Sequence, residues 1–143
     1  MPRRYLGIDH VALAVEDLAA ARRVFETLLG FPVVEEEVVA DQKVRVVKVD
    51  AGGSHLELLE STDPEGPVGR YLAKRGPGIH HVTVRVADLA RTLRELAANG
   101  IELVDKEPRR GAGGKRIAFL HPKSTAGILI ELCEADPDDG EDQ

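Results

Sequence analysis

Residues 7–15 alternate between two sides, with Val11, Leu13 and Val15 on one and His10, Ala12 and Ala14 on the other. A period of two is that of a strand buried on one face. Asp17 then stands as a helix N-cap, and Leu18, Ala21, Phe25, Leu28 and Leu29 form one apolar stripe that ends at Gly30. Three β-rich runs follow near 33–39, 43–50 and 54–60, with Gly52-Gly53 turning between the last two. The pattern predicts βαβββ.

The same order then returns. A strand over 79–86 sets Val82, Val84 and Val86 against His81, Thr83 and Arg85. Asp88 caps a helix carrying Leu89, Leu93, Leu96 and Ala97, stopped by Asn99-Gly100. Strands near 101–105, 115–120 and 127–134 complete the second unit. Residues 61–78, rich in Pro and Gly, read as a linker, with a short helical turn at 68–72. The predicted class is α+β, with two tandem βαβββ modules (about 7–60 and 79–134) whose sheets can curl round a cleft. One domain would span 1–143, ending in an acidic tail at 135–143.

The repetition extends to individual residues. Ile-Asp-His-Val-Ala-Leu-Ala-Val-Glu-Asp-Leu from Ile8 returns from Ile79 as Ile-His-His-Val-Thr-Val-Arg-Val-Ala-Asp-Leu, so that His10 falls on His81 and Asp17 on Asp88. His-Leu-Glu-Leu-Leu-Glu at 55–60 is echoed by Leu-Ile-Glu-Leu-Cys-Glu at 129–134, pairing Glu57 with Glu131. The offset grows by about three residues over the second module, which places an insertion in Gly111-Ala112-Gly113-Gly114.

Duplication has therefore produced two imidazoles and two carboxylates. The branched residues of each opening strand face its helix, so both His residues lie on the opposite face. Singly, a strand His is an ordinary polar-face residue and a Glu beside Leu is solvated. The matched set is what a divalent ion with open positions requires. Imidazole with carboxylate suits Zn, Co, Ni, Mn or Fe(II), and the lack of a thiolate argues against a structural cysteine-type zinc site. Two carboxylates neutralise a dication and leave room for substrate oxygens.

Other residues read differently. His80 points away from the side of His81 and is a packing or interface residue, His55 is structural, and His121-Pro122 closes a strand. The glycines at 111–114 before Lys115 lack the Walker spacing and read as a hairpin loop able to close over a ligand. Around them Arg109, Arg110, Lys115, Arg116 and Lys123 gather positive charge. That is either a solvated basic face or a dock for an anionic substrate, with Lys115 and Lys123 as its contacts.

Composition narrows the field. A chain of 143 residues with 43% apolar and 31% charged residues is that of one soluble globular domain. A net charge of −6 argues against nucleic acid as a partner. Lone Cys133 excludes an internal disulfide and suits a reducing compartment. There is no apolar run of membrane-span length, and Pro-Arg-Arg at 2–4 lacks the apolar stretch of a signal peptide. The expected setting is cytoplasmic, away from membranes.

Ile-Asp-His-Val-Ala-Leu-Ala-Val, Leu-Glu-Leu-Leu-Glu, Gly-Ile-His-His-Val, and Gly-Lys-Arg-Ile-Ala-Phe-Leu-His-Pro-Lys with Ile-Glu-Leu together resemble the methylmalonyl-CoA epimerase family. That family belongs to the vicinal oxygen chelate superfamily, with glyoxalase I, extradiol dioxygenases and bleomycin-resistance proteins. The resemblance covers roughly residues 7–134, and His-Pro-Lys is its most family-specific part. It implies a homodimer with a divalent ion, often Co2+, held by His10, Glu57, His81 and Glu131. Some relatives carry Gln where Glu57 stands. The implied substrate is an acyl-CoA thioester, and the implied reaction moves the C2 proton of methylmalonyl-CoA through a metal-stabilised enolate, with Glu131 as a catalytic group.

One departure stands out. Several relatives carry a proton-transferring Glu in the third strand, and alignment without gaps through Gln42-Lys43-Val44-Arg45 puts Val46 there. Glu131 could exchange between ligation and proton transfer, Lys48 shares the face of Val46, and a bound water is a third option. A solvated lysine on an edge strand is the plainer reading of Lys48. The rival functions are a glyoxalase I-like (lactoylglutathione lyase) isomerase and a metal-free binding protein of the bleomycin-resistance type.

Overall fold

The structure is a computed structural model that describes residues 4–136, so the acidic tail beyond 136 lies outside the described residues. The chain divides into two compact units. The first comprises His10–His80; the second combines the residues up to Asp9 with those from His81 onward.

In the first unit, β1 (Tyr5–Ala14, its end from His10 counted here) leads through α1 (Leu18–Arg22) to β2 (Val33–Val39), β3 (Val44–Asp50) and β4 (His55–Ser61). Beyond these lies α2 (Pro67–Arg75). β1 pairs parallel with β4, β4 antiparallel with β3, and β3 antiparallel with β2. Asp17 caps α1 by accepting from the Ala20 amide at 3.2 Å. The helix then widens, since Leu29 N–H bonds the Val24 carbonyl at 2.9 Å, before Gly30 takes a φ of +79°. The linker holds a nine-residue helix where only a turn at 68–72 is expected. Pro67 at its first position and the φ of +71° at Gly76 delimit it.

The two faces of this unit separate as the alternation predicts. Val47, Val49 and Leu58 pack with Leu13, Leu18, Ala21 and Phe25 beneath α1. Ala12, Ala14, Val44, Val46 and Leu59 lie on the other face, under Val68, Tyr71 and Leu72 of α2. Burial of a side chain such as Leu58 contributes about 1.5–3 kcal/mol.

The second unit repeats the order as β5 (Gly78–Val86, from His81), α3 (Leu89–Ala98), β6 (Arg109–Arg110), β7 (Arg116–Leu120) and β8 (Ile130–Glu134). β5 pairs parallel with β8, which runs antiparallel to β7, and β7 antiparallel to β6. Val86, Leu89, Leu93, Ala118, Leu120 and Leu132 form its core beneath α3. Two expected strands differ. Residues 101–105 make one isolated bridge, Leu103 with Leu120, and the short strand is at 109–110 instead. The strand expected from 127 begins at Ile130, because Ala126 and Gly127 both take positive φ, +59° and +85°, in the preceding turn.

The repeated Glu-Leu-X-Glu uses its second acid in the same way twice. The Leu18 amide, at the start of α1, donates to Glu60 Oε2 at 2.8 Å. The Leu89 amide, at the start of α3, donates to Glu134 Oε2 at 3.0 Å. A carboxylate at a helix N-terminus satisfies an amide without a partner in the helix and complements its dipole. Each closing strand is thereby fastened to its own helix, and the first acid is left on the opposite face.

Candidate functional site

That opposite face carries the duplicated donors. In the first unit, β1 and β4 set Ala12 opposite Glu57 and His10 opposite His55. His10 Nε2 lies 3.3 Å from Glu57 Oε1, and both side chains are almost fully buried, at 7% and 6% exposure. In the second unit Thr83 lies opposite Glu131 in the β5–β8 register. His81 Nε2 lies 3.4 Å from Glu131 Oε1, again with both side chains buried. The Thr83 hydroxyl donates to Glu131 Oε1 at 2.6 Å, and the His81 ring meets the edge of Phe119 at a centroid distance of 5.2 Å. Within each unit the candidate His and Glu thus lie side by side.

Burial makes this arrangement costly unless charge is compensated, since a carboxylate leaves water only when paired. His10, His81 and Glu131 each present a ligand atom of the kind that holds a metal ion, and all three are buried. Two imidazoles and two carboxylates without a thiolate fit a catalytic divalent ion better than a structural zinc.

Three neighbours were not singled out as donors by the sequence. Thr83 is one; this strand-mate of His81 stands opposite Glu131 by register, which alternation alone does not supply. Lys48 is the second, and the edge-strand reading is corrected here. β3 lies between β2 and β4, and the Lys48 side chain is only 15% exposed, with Nζ 3.9 Å from Glu57 Oε2. Glu37 is the third: it faces Val46 across the β2–β3 ladder and is half-buried. Alternation along Glu35-Glu36-Glu37 places it on the face of Val39 and was the available signal.

The remaining candidates take up local roles. His80 meets Tyr71 edge-on at 5.1 Å, and His121 Nδ1 accepts from the Lys123 amide at 3.0 Å to cap the turn after it. The basic group is largely ion-paired: Arg109 with Asp105, Arg116 with Glu134, and Lys115 with Asp9 and Asp136. Lys123 is exposed. Cys133 is buried, and its thiol is pushed up to about 12, first by desolvation and then by the Asp9 carboxylate.

Comparison with known proteins places this architecture. A model of the Glyoxalase/Bleomycin resistance protein/Dioxygenase superfamily matches residues 9–119. An ethylmalonyl-CoA/methylmalonyl-CoA epimerase of Cereibacter sphaeroides is 35% identical over 127 residues, 87% of this chain and 95% of its own. The crystal structure of methylmalonyl-CoA epimerase from Mycobacterium tuberculosis has a TM-score of 0.87 at 39% identity, covering 92% of this chain and 89% of that one. A methylmalonyl-CoA epimerase in complex with methylmalonyl-CoA and NH4+ has a TM-score of 0.87 at 36% identity, covering 94% and 97%. The chain belongs to the glyoxalase superfamily and, within it, to the methylmalonyl-CoA epimerase family. Its fold is therefore the vicinal oxygen chelate fold. Among the described residues, no helix is long and apolar enough to cross a membrane.

Proposed function

We propose that the protein interconverts the R and S forms of methylmalonyl-CoA, with His10, Glu57, His81 and Glu131 holding one divalent ion. The observation that carries the reading is the duplicated, buried His–Glu pair, at 3.3 and 3.4 Å, in a chain of the epimerase family. Cobalt is the metal the family resemblance favours, with Zn2+, Ni2+ and Mn2+ as alternatives, and the working form is a cytoplasmic homodimer.

When bound, a Lewis acid at these donors would polarise the thioester carbonyl and acidify the C2 proton. The chain's own groups do the rest. Glu131 is the candidate proton carrier on one side of C2, and the Thr83 hydroxyl holds its Oε1 in place. Epimerisation needs a second carrier on the other side, since return from the same face restores the starting isomer. Val46 cannot serve, and Glu37, directly opposite it, offers the nearest replacement carboxylate in the ladder. Lys115 and Lys123 are assigned to the anionic part of the thioester substrate.

Incubating the cobalt-loaded protein with one isomer in deuterated water should exchange the C2 proton and yield both isomers. No exchange with metal present would overturn the assignment. Turnover of the methylglyoxal–glutathione adduct instead would favour a glyoxalase I-like isomerase.

A further inference from the structure

Lys48 is an unusual residue to find on this face. An ammonium withdrawn from water needs a partner, and its neighbours offer two. Glu35 stands opposite it on β2 and Glu57 opposite it on β4, yet the carboxylate it approaches is Glu57, at 3.9 Å. The two oxygens of Glu57 are thereby divided: Oε1 lies 3.3 Å from the His10 imidazole and Oε2 faces the ammonium. Ala12, the other residue opposite Glu57, has no polar side-chain atom to share that work.

We propose that Lys48 is a positioning and specificity-determining residue, which gives the metal centre a net positive charge and so selects a substrate bearing a carboxylate. The inference rests on the metal site proposed above. Two carboxylates against a dication sum to zero, and a neutral centre has no long-range attraction for an anion. The Lys48 ammonium restores one positive charge in a setting of low dielectric, where it counts for more than at the surface. By dividing the Glu57 oxygens it also keeps that carboxylate turned to His10 through one atom only. The substrate class this favours is an acyl thioester with a second, anionic oxygen donor, over a neutral carbonyl compound. The charge has an opposite effect on the ion itself, which it repels.

Those opposed signs make the test specific. Lys48→Met keeps the length of the side chain and removes the charge. Calorimetric titration of the metal-stripped variant with Co2+ should show binding tighter by on the order of tenfold, and titration of the cobalt-loaded variant with malonate should show binding weaker by about the same factor. For methylmalonyl-CoA the change should fall on KM rather than kcat. Lys48→Arg should behave as the parent. Adding Glu57→Gln to Lys48→Met removes one negative charge and should return malonate binding to within about threefold of the parent. A merely structural ion pair predicts weaker Co2+ binding in Lys48→Met and no recovery in the double variant; either result overturns the proposal, as does no change in malonate binding. If the parent fails to epimerise methylmalonyl-CoA while malonate binding still follows the charge of residue 48, the functional reading falls and this one stands.

Discussion

The two His–Glu pairs are alike in their donors and unlike in what stands beside them. Glu57 has Ala12 on one flank and Lys48 on the other; Glu131, in the equivalent registers, has Thr83 and Phe119. The first pair is thus supported by a charge at 3.9 Å, the second by a neutral hydroxyl at 2.6 Å and an aromatic edge against the His81 ring. The helix-anchoring acids Glu60 and Glu134 have not diverged in this way, since both hold the first amide of their own helix. Duplication has kept the donors and the scaffold, and let the flanks specialise. Matched donors with unequal surroundings suit the proposed reaction, which treats the two sides of one carbon differently.

The largest effect should come from deleting a donor on either side. Glu131→Ala removes a proposed ligand and the candidate proton carrier together, so isotope exchange at C2 should fall by roughly a thousandfold or more. Glu57→Ala removes a proposed ligand alone and leaves Lys48 without its carboxylate. Metal retained after dialysis should drop in both variants, by more than the roughly 10–100-fold in affinity that loss of an outer-shell partner costs, while exchange with Co2+ in excess should recover only in Glu57→Ala. Equal recovery of both variants under excess Co2+ would break the distinction between the two halves.

A smaller effect sharpens it. Thr83→Val keeps the shape of a fully buried residue but takes the hydroxyl donor from Glu131 Oε1. Leaving a buried carboxylate short of a hydrogen bond costs about 1–3 kcal/mol, which should appear as a lower denaturation midpoint and a slower exchange rate at saturating Co2+. Thr83→Ser should keep the rate. Should Val and Ser behave alike, packing and not the hydrogen bond is what Thr83 supplies.

Much of this was legible in the residues because duplication compares the chain with itself. The repeat alone picks out His10, Glu57, His81 and Glu131, whereas the placing of each His beside the Glu of its own unit is a matter of strand pairing. The repeat requires only that Glu57 and Glu131 be equivalent, and it is the register beside Thr83 and Phe119 that turns Glu131 away from the α3 core. Lys48 shows the limit. Alternation gives its face, but whether that strand lies at an edge depends on β2 adding outside β3, a tertiary fact. Residues 101–105 failed as a strand for a similar reason, since Asp105 turns inward to accept the Phe119 amide at 2.8 Å and the Arg109 guanidinium at 2.9 Å. That local cap replaces ladder pairing, and propensity does not reveal it.

The smallest expected effect concerns Cys133, for which the repeat supplies Leu59 as the counterpart two residues beyond the paired glutamate. Both are buried, at 1% and 4% exposure, yet only one can ionise. Desolvation holds the Cys133 thiol up to about 12, from an ordinary value of 9.0, with the carboxylate of Asp9 acting in the same direction. Above pH 9 the unfolded chain releases this proton and the folded chain keeps it, so stability declines from there towards pH 12. Cys133→Leu, which copies the counterpart, should flatten that one contribution to the profile of denaturation midpoint against pH. At pH 8 a thiol reagent should label the folded protein far more slowly than the protein in urea, because a buried protonated sulfur is a poor nucleophile. Equal labelling in both conditions would show Cys133 open to solvent, and the likeness of the two positions would then end at their place in the repeat.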